Sequence, residues 1–76
     1  MMALAQGSLN FDDLMPDKRY AVTYQLPGGV HVTAVGSFLK FSPRCSPLVI
    51  VLNDGDDGEV KIGARQTVFI RAVKDE

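Results

Sequence analysis

Cysteine occurs once in the 76 residues, histidine once and tryptophan not at all. A lone thiol, Cys45, cannot close an intramolecular disulfide, and secreted domains of this size usually depend on such links, so the sequence points to a reducing, cytoplasmic setting. No stretch approaches the eighteen or more apolar residues of a helical membrane span; the densest run is Leu48 to Leu52, and a spanning helix is excluded. Positive charge is not in excess either. Eight Lys and Arg stand against nine Asp and Glu, a net charge of -1, so no global field draws the chain to phosphate backbones or anionic lipid, and any nucleic-acid contact must come from a local patch. Residues 1–7 lack the basic start and full apolar run of a signal peptide and read as a flexible leader to a single domain over residues 8–76.

What is present is the composition of an ordinary small globular domain, 46% apolar and 22% charged, with room for one core. Residues 8–15 predict a short N-terminal helix. Ser8 or Asn10 can cap it, Asp12 and Asp13 suit its first turn, Phe11, Leu14 and Met15 share a stripe, and Pro16 ends it. The period then changes to two. Tyr20, Val22, Tyr24 and Leu26 alternate with Ala21, Thr23 and Gln25, and Pro27-Gly28-Gly29 supplies a tight reversal into a second alternating run from Val30 to Val35, which together predict a β-hairpin. Gly36 allows the second strand to bend and continue over Ser37 to Phe41, with Phe38 turned to the core.

Pro43 and Pro47 make residues 42–47 a loop. Leu48-Val49-Ile50-Val51-Leu52 is β-branched and apolar on both faces, which suits an interior strand. The turn-rich Asn53 to Gly58 leads to a strand over Glu59 to Ile62, and Gly63 to Gln66 turns into a last strand over Thr67 to Val73. Connections this short require largely antiparallel pairing. The expectation is an all-β fold, a five-stranded antiparallel barrel of the SH3 or Sm type with a short N-terminal helix.

Catalysis finds little support. Cys45 and His31 are the only thiol–imidazole pair, and neither the loop of one nor the strand of the other brings them together. Asp54 to Glu59 is acidic, but Gly55 occupies a ligand position of a calcium loop, so a solvated turn is the simpler reading. Leu26-Pro27-Gly28-Gly29 joins two strands instead of opening a helix and is no phosphate loop. The chain is read as a non-enzyme without cofactor or metal.

Binding is the alternative. In a closed barrel Lys40, Lys61 and Arg65 can line one rim, with Phe41 as a stacking platform for the bases of single-stranded RNA. Thr67-Val68-Phe69-Ile70 is an edge-capable segment, and Phe69 alternates out of phase with Val68 and Ile70. Thr67, Phe69 and Arg71 are therefore candidates for a homo-oligomer interface.

The stretches Tyr24-Gln25-Leu26-Pro27-Gly28-Gly29-Val30-His31-Val32, Ser37-Phe38, Leu48 to Leu52 and Ala64-Arg65-Gln66-Thr67-Val68 resemble the Sm-like family, including its bacterial host-factor type. That resemblance implies a bent five-stranded barrel assembled into RNA-binding rings. Four positions depart from the family's pattern: Ala34 replaces a bend glycine unless Gly36 takes its role, Leu39 replaces an aspartate, and Ile62 and Gly63 replace a basic and histidine pair. The Tyr-x-Leu-Pro-x-Gly hairpin is also similar to SH3-like barrels that accompany acetyltransferase domains, which implies a protein-interaction or assembly module, including one of mobile-element or phage origin.

Overall fold

The computed structural model describes residues 4–42, 49–55 and 58–74. Five strands form one antiparallel sheet: β1 (Arg19–Gln25), β2 (His31–Ser42), β3 (Val49–Asn53), β4 (Glu59–Gly63) and β5 (Thr67–Ala72), in the spatial order β4-β3-β2-β1-β5. Two single 3-10 turns, Phe11–Asp13 and Ala64–Gln66, precede β1 and β5. Among the described residues no helix is long and apolar enough to cross a membrane.

The hairpin forms as its periodicity predicts. Gly28 and Gly29 take positive φ values of 97° and 92°, a region that side chains disfavour, and the Leu26 N–H closes the turn on the Val30 carbonyl at 2.7 Å. Strand β2 is twelve residues long and divides its work: His31 to Ser37 pair with β1, and Ser37 to Ser42 pair with β3 on the other side, with an irregularity between Phe38 and Lys40. Gly36 sits where the halves meet. A Cβ there would lie 2.6 Å from the Asn53 carbonyl oxygen and 3.3 Å from the Leu52 Cβ, so the close approach of β3 depends on glycine at this place.

One face of each half supplies the core. Tyr20 and Val22 of β1, Phe38 of β2, Ile50 and Leu52 of β3, Ile62 of β4 and Ile70 of β5 are buried together, with Leu14 beneath the N-terminal turn. Phe11 packs on this cluster, whereas Met15 is 57% exposed. The expected apolar stripe therefore holds at two of its three places.

Two expectations are corrected. The sheet does not close into a barrel: β4 and β5 are its two edges, and the 3-10 turn at Ala64–Gln66 carries the chain from one edge to the other without pairing them. The N-terminal helix is only the 3-10 turn. Leu9 donates its N–H to the Ile70 carbonyl at 2.9 Å, which holds the chain extended up to Asn10, and Pro16 follows too soon for an α-helical ladder to build. Asp13 closes the turn by accepting the Asn10 N–H at 2.9 Å. Ser8 caps nothing; its hydroxyl donates to the Leu9 carbonyl at 2.8 Å and accepts the Ile70 N–H at 2.9 Å.

Residues 4–9 thus run along the outer edge of β5 as a strap. Ala5 donates to the Val68 carbonyl at 2.8 Å, and Leu4 and Leu9 pack against the core. Residues 4–7, expected as part of a flexible leader, belong to this strap.

Candidate nucleic-acid interface

Cross-strand register decides which side chains share a face. Lys40 pairs with Val51, and Val51 pairs with Lys61, so the three form one row across β2, β3 and β4. The neighbouring rows, Phe38-Leu52-Val60 and Phe41-Ile50-Ile62, point to the core. The lysine row is therefore on the outer face, both ammonium-bearing chains exposed and Val51 buried between them. With two strand spacings between them, the lysine backbones stand about 10 Å apart.

The other two candidates lie elsewhere. Phe41 is half-buried on the core side, its ring 4.9 Å from that of Phe38 at an interplanar angle of 59°. Strand alternation separates it from Lys40, its immediate neighbour. Arg65 is exposed in the Ala64–Gln66 turn and, with Gln66, borders a cavity of about 350 Å³ against the Gln25 to Gly29 reversal.

The family models, curated proteins and solved structures compared with this chain yield no match. The chemistry of the site rests on its own residues.

On the other half of the outer face, Ala21 pairs with Val35 and Arg71, and Thr23 with Thr33 and Phe69. Thr23 and Thr33 join their hydroxyls at 2.8 Å. Phe69 is half-buried here, and Gly7 of the strap passes close enough that a Cβ on it would lie 3.9 Å from the ring. Val35, two strands away in the row of Ala21 and Arg71, is exposed, as is Arg71. Thr67 differs from its two companion candidates. An irregularity in the β1–β5 register sets it opposite Tyr24, fully buried, with its hydroxyl donating to the Gly63 carbonyl at 3.0 Å.

His31 is exposed at the start of β2, opposite Gln25; Cys45 lies outside the described residues, as do Asp56 and Asp57 of the acidic loop. The described part of that loop is turn chemistry, the Asn53 side-chain oxygen accepting the Gly55 N–H at 2.8 Å. Among the described residues no cluster of three or more His, Cys, Asp or Glu forms a metal site.

Sequence reasoning missed the strap and the identity of the free edge. The strap had a weak signal in the small residues Ala5, Gly7 and Ser8, which let one chain lie close along another. Alternation alone would have separated Phe41 from Lys40.

Proposed function

We propose that the chain is a non-catalytic binding module that self-associates and contacts single-stranded RNA through its outer face, in the manner of Sm-like proteins. The observation that carries this reading is the row Lys40-Val51-Lys61, which aims two cations outward from adjacent parts of one rigid sheet. Two ammonium groups on a strand scaffold can each meet a phosphate, while Arg65 lies apart from them, beside the Gln25 to Gly29 reversal. With a net charge of -1 the interaction depends on this patch and weakens as salt is added.

Fluorescence anisotropy of a labelled RNA oligonucleotide against salt concentration tests the reading. Two phosphate contacts predict a slope of log K against log salt of about -1.4, and Lys40→Ala with Lys61→Ala removes it. Absence of binding at ~50 mM salt, where phosphate contacts are strong, would overturn it.

A protein-interaction module is the second reading. It is favoured by half-buried Phe69 and exposed Arg71 on β5 and by exposed Val35 across β1 from Arg71, all on the other half of the outer face.

A further inference from the structure

The two edges of the sheet differ in what remains unpaired. Alternation in an antiparallel hairpin sends the backbone groups of every second residue toward the neighbouring strand and those of the rest away from it. In the β3–β4 hairpin Asp54 donates its N–H to the Gly58 carbonyl at 2.8 Å, with Leu52 opposite Val60 and Ile50 opposite Ile62. Gly58, Val60 and Ile62 therefore face β3. Glu59, Lys61 and Gly63 turn their N–H and C=O groups outward. The Gly63 carbonyl agrees, because it receives the Thr67 hydroxyl from the far side. Among the described residues no partner meets the outward groups of Glu59 and Lys61. On the opposite edge the Val68 carbonyl and the N–H and carbonyl of Ile70 are taken by Ala5, Ser8 and Leu9.

We infer that two copies of the chain join through their β4 edges, antiparallel about Val60, with Glu59 of each opposite the partner subunit's Lys61. This rests on the self-association part of the reading above; it shares Lys61 with the RNA part, whose other cation, Lys40, lies outside the contact. Three registers could use the outward groups. Centring on Glu59 opposes Glu to Glu, and centring on Lys61 opposes Lys to Lys. Centring on Val60 sets Glu59 and Lys61 against each other twice, and both are exposed residues on the same outer face. That register also makes each Glu–Lys couple a hydrogen-bonded pair, so four backbone hydrogen bonds accompany two opposite-charge contacts. The ring that the Sm-like resemblance implies would need two different open edges, and the strap occupies the Val68 carbonyl and both backbone groups of Ile70 on the second, so a two-copy pairing takes the place of the ring. An isologous pair needs only β4.

Charge reversal tests the register. Sedimentation equilibrium at high protein concentration is expected to give twice the 8.3 kDa of one chain. Glu59→Lys, or Lys61→Glu, turns both attractive contacts repulsive, and each variant alone is expected to dimerise at least about tenfold more weakly. Mixing the two variants restores an opposite charge at every contact and is expected to return the two-copy mass. Circular dichroism on each variant confirms that it is folded. A wild-type chain monomeric at high concentration, a mass above two copies, or single variants that pair as well as the wild type would each overturn the inference. RNA anisotropy reports on the lysine row separately: Glu59→Lys leaves Lys40 and Lys61 in place, so lost pairing with retained RNA binding separates the two.

Discussion

Along β5 the Val68 carbonyl and both backbone groups of Ile70 are met by Ala5, Ser8 and Leu9 of the same chain, whereas along β4 the outward groups of Glu59 and Lys61 meet no described partner. The first edge is apolar in sequence, Thr67-Val68-Phe69-Ile70, and is occluded. The second carries alternating opposite charges and is open among the described residues. An exposed strand edge is a template for other chains, and the two solutions differ in kind. Covering an edge with a tethered segment removes it from every partner. Placing charges of opposite sign two residues apart leaves it available to a strand of complementary pattern and opposed to others.

Removing the strap should abolish the difference between the two edges. Deleting residues 1–9 removes the leucines Leu4 and Leu9 from the edge of the core and the acceptors and donors that meet Val68 and Ile70. Two half-buried leucines and their hydrogen bonds together predict a loss of roughly 3 kcal/mol in urea unfolding. With both edges open, the mass is expected to rise beyond two copies, because β5 can then accept a strand as well. A truncated chain of unchanged stability and unchanged mass would show that the strap guards nothing.

A single hydroxyl of the strap carries a smaller effect. Ser8→Ala leaves the strap in place but removes the hydroxyl that accepts the Ile70 N–H at 2.9 Å. Ile70 is fully buried, and a buried donor without an acceptor costs about 1–2 kcal/mol. The change should appear as faster hydrogen exchange at the Ile70 amide, with β4 amides unaffected. Equal acceleration on both edges would mean that the sheet loosens as a whole and that its edges are not independent.

The parts of this fold that were legible in the sequence are those in which local pattern and tertiary role agree. The period of two from Tyr20 to Leu26, the Pro27-Gly28-Gly29 reversal and the β-branched run before Asn53 each specify a strand or turn that the packing then uses. Gly36 was legible as a place of bending, and the 2.6 Å approach of the Asn53 carbonyl to its missing Cβ supplies the physical reason. Residues 8–15 have helix chemistry on every local criterion. They are extended up to Asn10 because Leu9 and Ser8 bond to Ile70, a residue 62 positions away from Ser8, and no local signal announces that contact. The closed barrel failed for a similar reason. Short connections and five strands are equally consistent with an open sheet, and the choice depends on how the chain uses its two edges. At the candidate site, exposure of Lys40 and Lys61 was legible from charge, but their shared row depends on the register through Val51, which rests on the irregularity between Phe38 and Lys40.

The smallest effect belongs to the hydroxyl that borders the open edge. Thr67 is fully buried and donates to the Gly63 carbonyl at 3.0 Å, across the turn that links β4 to β5. Thr67→Val keeps the shape and removes the donor, so the carbonyl loses one partner while no cavity opens, and the expected loss is about 1 kcal/mol in urea unfolding. The Gly63 carbonyl is one of the outward groups at the end of β4. Freeing it lengthens the open edge by one acceptor without altering Glu59, Val60 or Lys61. If self-pairing is confined to the register about Val60, the two-copy mass persists unchanged in this variant. If the edge instead pairs through a register displaced toward Gly63, the freed carbonyl strengthens association. The same substitution therefore measures the worth of one buried hydroxyl and locates the centre of the contact along β4.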